Sequence, residues 1–363
     1  MRTLLSLDLQ GFKSIRALNL EFGDVNVLIG ANGAGKSNLL SFLKLLKWMV
    51  TPPGELRFNI ARLGGANAIL HYGASVTRGV AAGIQVQDDE WPLSYSFALS
   101  YAVDDSLVFA SERLALSLED TNGFSGGGHR ESVIIRESFL SPKAKHIADA
   151  LRGIGSYHFH NTSDTARVRQ RWSTEDSHQL KEDGGNLAPV LLRLSREHPA
   201  HYFRITETLR QVIPHFADFV LAPSENGTLL LQWRERDSDL HFGPSQASDG
   251  MLRLMALVAL LLQPAENLPP VLTIDEPELG LHPTAIHLVA GLVQNVAQHT
   301  QVIVATQSPA LLDHFDPEQI VVVDRPERES IFRRLDSEQL AGWLDEYTMA
   351  ELWEKNVLGG KPA

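Results

Sequence analysis

Residues 30 to 37 read Gly30-Ala31-Asn32-Gly33-Ala34-Gly35-Lys36-Ser37. They fit the pattern GxxxxGK[ST] between a short apolar β-type run, Val25 to Ile29, and a run of helical spacing through Leu39, Leu40, Phe42, Leu43 and Leu46. That strand, loop and helix order commits the chain to an α/β fold that receives a phosphate. The glycines let backbone N–H groups close around the anion, and the helix that follows aims its positive end at it. Lys36 is expected to bridge the β- and γ-phosphates of a nucleotide, and Ser37 to hold Mg2+ through its hydroxyl. The whole stretch Gly30 to Asn38 is the expected cradle.

A second motif sits far downstream. Val271-Leu272-Thr273-Ile274 is an apolar strand introduced by Pro269-Pro270 and ended by Asp275-Glu276-Pro277. Two adjacent carboxylates at a strand's end are costly to place without a cation or a proton to handle. Beside a phosphate loop, Asp275 is expected to support the metal and Glu276 to act as general base on the attacking water. Between the two motifs, Ser248-Asp249-Gly250 opens a long apolar helix through Met251, Leu252, Leu254, Met255, Leu257, Val258 and Leu261. Ser248 reads as its N-cap, and such a helix end is suited to meet an anion.

The order of phosphate loop, Ser-Asp-Gly helix, Asp-Glu strand, D-loop and final switch strand resembles the RecF/SMC branch of ABC-class ATPases. The likeness is nearest to compact stand-alone ATP-binding proteins related to the ATPase half of OLD-family nucleases. Further residues that carry it are Gly11-Phe12-Lys13-Ser14-Ile15, Asp275 through Pro283, and Ala305-Thr306-Gln307-Ser308-Pro309. The resemblance implies an ABC-type head, a mixed sheet with flanking helices, that hydrolyses ATP with Mg2+. It also implies a homodimer in which Ser248 and Gly250 of one subunit cover the nucleotide held by the other.

Several positions follow from that resemblance. Lys13 falls where the branch places a basic residue near the phosphates; the alternative is an ordinary solvated lysine after a strand. Gln307 stands where many relatives carry a switch histidine. A glutamine can hydrogen-bond a phosphate oxygen or a water but cannot take up charge. Asp249 replaces a glycine usual in transporters, which argues against transport. His282, in the D-loop, is either a partner contact or a helix-start residue. His158 and His160 flank Phe159, read as one face of a strand, and are expected to be ordinary surface or interface histidines.

The spacing divides the 363 residues into residues 1–50 and 201–335 as the two halves of the head, a β-rich and helical insertion lobe over 51–200, and a helical tail over 336–363. Alternating runs at Trp91 to Val103, Leu107 to Leu118 and Val133 to Ile135 suggest antiparallel strands in that lobe, and Leu187 to Val212 turns helical. The insertion is too short for a long coiled coil. No cysteine is present, so thiol chemistry and Cys-based zinc sites are excluded. Met1-Arg2-Thr3-Leu4 runs straight into a strand, and no segment approaches the roughly 20 apolar residues that cross a bilayer, so a cytoplasmic protein is expected.

A net charge of -12 does not suit a surface made for DNA, although Arg167, Arg169 and Arg171, and Arg204 with Arg210, are local basic stretches. The resemblance implies a regulatory clamp acting on a separately encoded effector, often a TOPRIM-type nuclease, in defence against phage or foreign DNA. The chain reads as too short to hold that nuclease itself. A RecF-like DNA-binding ATPase in repair is the alternative, and a transporter subunit a remote one.

Overall fold

Alternation of apolar and polar side chains builds the first sheet. Leu7 and Leu9 in Leu4–Phe12, Ile15, Leu18 and Leu20 in Ile15–Glu21, and Val80, Ala82, Ile84 and Val86 in Gly79–Val86 all turn inward. The computed structural model describes residues 4–51, 54–87, 92–115 and 125–360, the side chains of residues 115, 125 and 126 excepted. Met1 to Thr3, Trp91 and residues 116–118, on which expectations above were placed, lie outside them.

The chain divides into two units, residues 1–155 with 316–363, and residues 156–315. In the first unit the strands order as Ile15–Glu21, Leu4–Phe12, Gly79–Val86, Leu93–Ala102, Ser106–Ala115 and Ser125–Gly126, every neighbouring pair antiparallel. The phosphate-loop helix, Lys36–Met49, lies against this sheet through Phe42, whose ring is 5.3 Å from Phe12 and 6.4 Å from Phe97. Its apolar residues recur on one face, which is why a 14-residue helix forms there. The strand Val25–Ile29, buried throughout, pairs in parallel with Ile320–Asp324, which in turn pairs antiparallel with Ile331–Arg334.

Where the sequence suggests a strand at Val133 to Ile135, the structure has a helical turn, Ile134–Glu137. Three residues are too few for period to choose between strand and helix. The chain there is held by the buried Glu112, which accepts from Ser132 Oγ at 2.5 Å, Val133 N at 3.1 Å and Tyr95 OH at 2.7 Å. The tail forms two helices, Ser337–Leu344 and Met349–Glu354; Trp353 is buried and Trp343 exposed.

In the second unit, Val271–Asp275 and Gln301–Thr306 pair in parallel, and the helix Pro283–Val296 makes the crossover. Both strands are mostly apolar and almost wholly buried, as suits parallel strands covered on two faces. The helix Asp249–Leu261 is buried along nearly its whole length from Leu252 onward. The helical segment 187–212 is two helices, Leu187–Glu197 and Pro199–Val212, broken at His198 because Pro199 disfavours helical backbone in the residue before it. Among the described residues no helix is long and apolar enough to cross a membrane.

Candidate functional site

In the first unit, Gly30 ends the strand Val25–Ile29 directly beneath the carbonyl of Val323, where any Cβ would collide. Gly33 and Gly35 take φ values of 78° and 122°, a region that favours glycine. A Cβ on Gly33 would meet nothing within 4 Å, so this side of the loop faces open space. The helix Lys36–Met49 carries no side-chain cap and no acidic residue in its first turn, so its N-terminal N–H groups suit an anion. Lys36 is buried, and its ammonium donates to the carbonyls of Gly30 at 2.7 Å and Ala31 at 3.0 Å. Ala31 N donates to Gly360 O at 3.2 Å, and Arg325 Nη1 to Gly33 O at 3.0 Å.

Two serines brace the loop from behind. Ser330 Oγ donates to Ala34 O at 2.5 Å and lies 2.6 Å from Ser14 Oγ, which accepts from Asn38 Nδ2 at 2.6 Å. Lys13, next to Ser14, has a φ of 48°, and partial burial lowers its ammonium pKa. The sequence names Lys13 and Asn38 and places Ser14 in a motif, but gives no sign of Ser330 or of its pairing with Ser14 across 316 positions.

In the second unit, Asp275 ends its strand level with Ala305. Glu276 takes a φ of 46°, strained for a residue with a side chain, while its N–H donates to Ala305 O at 2.7 Å. Gln307 Nε2 donates to Glu276 Oε1 at 3.3 Å, and the Gln307 backbone N–H to Glu278 Oε1 at 2.9 Å. Asp275, Glu276 and Gln307 thus come together. Burial pushes the Glu278 carboxyl above the usual carboxylate range, and its Oε2 is buried without a hydrogen-bond partner.

His160 is more than an ordinary surface histidine. The strand ends at Tyr157, but the alternation runs on past it: Phe159 is buried, while His158, exposed, and His160, half-buried, lie on the same side with their rings 6.5 Å apart. The His160 Nε2 lies 3.0 Å from the Asp275 carbonyl oxygen and 3.9 Å from Glu276 Oε2.

Ser248 caps its helix by accepting from Met251 N at 3.2 Å, and Asp249 pairs with Arg169 at 3.1 Å. Gly250 lies against the D-loop backbone at Gly280. Arg253, one turn on, donates to Phe159 O at 3.1 Å, His160 O at 2.9 Å and Leu279 O at 3.1 Å. Arg253 is the one basic residue of an otherwise largely apolar helix, a signal that marks it in the sequence. His282 caps the helix Pro283–Val296, accepting from Thr284 N at 3.3 Å.

Among the described residues no group of three or more His, Asp or Glu could hold a metal by itself. The Ser37 hydroxyl in the first unit and the Asp275 carboxylate in the second are each a hard oxygen donor of the kind Mg2+ takes.

The fold is that of SMC heads. The chain is 17% identical to the SMC head solved with the C-winged helix domain of ScpA, with a TM-score of 0.63 over 93% of this chain and 99% of that one. It is 14% identical to the Pyrococcus furiosus SMC head with an extended coiled coil bound to the C-terminal domain of ScpA, with a TM-score of 0.60 over 95% and 99%. The Pyrococcus yayanosii SMC head with a coiled coil and joint matches at 14% identity and a TM-score of 0.56, again over 95% and 99%. The family model described as "AAA domain, putative AbiEii toxin, Type IV TA system" matches residues 25–313. No curated protein matches the sequence.

Proposed function

The chain belongs to that AAA-domain family, as an ABC-type ATPase of the RecF/SMC branch, and from this premise we propose that it is an ATP-gated dimer clamp that regulates a separate effector. Lys36 binds the β- and γ-phosphoryl oxygens, with Gly30 to Asn38 supplying backbone N–H groups and Lys13 a second positive charge. Ser37 and Asp275 would hold Mg2+, which when bound would supply positive charge against the phosphate oxygens. Glu276 takes the proton of the attacking water; the water oxygen bonds to the γ-phosphorus as the bond to the bridging oxygen breaks, giving ADP and phosphate. Gln307 holds the other carboxylate oxygen so that the base points one way. Ser248 and Gly250 of a second copy cover the γ-phosphate, so its loss reopens the dimer.

The observation that carries this reading is the Gln307 amide on Glu276 Oε1 at the end of the Asp275 strand. That contact orients a base without carrying charge itself. An effector partner is supported by the ScpA domains seated on related heads, and a defence role by the toxin named in the family's description. Hydrolysis of Mg-ATP by the wild-type protein, with Lys36→Ala and Glu276→Gln alongside, tests the chemistry. Sedimentation of Glu276→Gln with Mg-ATP tests the clamp: a dimer is expected, and single chains at saturation would end that reading. Mixing Lys36→Ala with Ser248→Arg should restore turnover, because each lends the half the other lacks.

A further inference from the structure

We propose that His160 is a positioning residue for hydrolysis, fixing the peptide group that joins Asp275 to Glu276; this rests on the assignment of Glu276 as base. That peptide is held at both ends. Its N–H donates to Ala305 O at 2.7 Å, and its carbonyl oxygen lies 3.0 Å from His160 Nε2. A carbonyl only accepts, so Nε2 carries the hydrogen and donates. Glu276 needs such a hold, because its φ of 46° is unfavourable for a residue with a side chain and persists only where surrounding bonds impose it.

His160 is itself fixed from behind. Arg253 Nη2 donates to the His160 carbonyl at 2.9 Å, Nε to Phe159 O at 3.1 Å, and Nη1 to the D-loop carbonyl of Leu279 at 3.1 Å. One guanidinium therefore sets both the loop that carries the imidazole and the loop that follows the base. Glu276 is left with Gln307 on Oε1 at 3.3 Å and the His160 ring facing Oε2 at 3.9 Å. Freed from His160, the peptide can rotate toward a relaxed φ and carry the carboxylate with it. A displacement of about 1 Å at a reacting group costs up to about 100-fold in rate.

The test compares donor with shape. His160→Phe keeps a ring and loses the donor; His160→Gln keeps a donor. With Mg-ATP, His160→Phe is expected to lower kcat about 10- to 100-fold and to leave KM within about threefold, whereas His160→Gln retains most of kcat. Amide hydrogen exchange over residues 275–281 supplies a readout independent of turnover: it should quicken in His160→Phe and stay near wild type in His160→Gln. Equal losses in both variants, or unchanged exchange and kcat in His160→Phe, overturn the proposal. If wild-type turnover does not exceed that of Lys36→Ala, the ATPase reading fails instead, and exchange still decides whether His160 pins this peptide.

Discussion

Gly250 and Gly280 meet backbone to backbone: a Cβ on Gly250 would strike the Gly280 carbonyl oxygen. The start of the Ser-Asp-Gly helix and the D-loop are therefore in contact with no side chain between them. Gly250→Ala must displace one of the two, and overpacking of this kind costs about 1–3 kcal/mol. A fall in melting temperature with a loss of turnover is the expected result. A variant with wild-type stability and turnover would show that the contact is dispensable.

Glu276→Gln preserves the acceptor for Gln307 and removes the proposed base. Turnover should drop about 100- to 10,000-fold, while a fluorescent ATP analogue binds as tightly as to wild type. Retained turnover would place the base elsewhere.

Glu278 makes stability depend on pH. Its folded carboxyl is raised by burial, so the stabilising protonated form is fully present below the ordinary carboxylate range of the unfolded chain and is lost as pH rises through the raised value. Glu278→Gln keeps an acceptor for the Gln307 N–H without the charge. It should match wild type near the ordinary carboxylate pKa of about 4.3 and exceed it at pH about 8, where the wild-type carboxyl must carry its charge in a buried site. Melting curves at the two pH values decide this; a constant gap would refute it.

Ser330→Ala removes the donor to Ala34 O and the partner of Ser14. A stability loss of about 1 kcal/mol and a several-fold rise in KM for ATP are expected, with kcat little changed. An unchanged KM would mean that the serines brace the fold and not the loop.

The strand and helix that flank the phosphate loop were legible because period and glycine spacing act over a few residues. Asp275 and Glu276 were visible for a similar reason, as two charges ending an apolar run. What escaped were bonds to backbone carbonyls, which leave no mark in a sequence. Arg253 stands out as a charge among leucines, but its acceptors at residues 159, 160 and 279 are main-chain oxygens. The alternation of His158 and His160 placed both rings on one side, where they lie 6.5 Å apart, but nothing in it pointed to the carbonyl 115 positions away that His160 reaches. At Val133 to Ile135, the buried Glu112 decided the local conformation, and no three-residue pattern could anticipate that.

The two carbonyls that Lys36 already engages bear on how nucleotides are told apart. Under the role proposed for Lys36, arrival of phosphoryl oxygens exchanges acceptors around one ammonium, so a nucleotide would gain at that group only the difference between its own oxygens and the carbonyls it displaces. What the lysine adds to affinity would then depend on how many phosphates reach it, and not on which base sits at the other end.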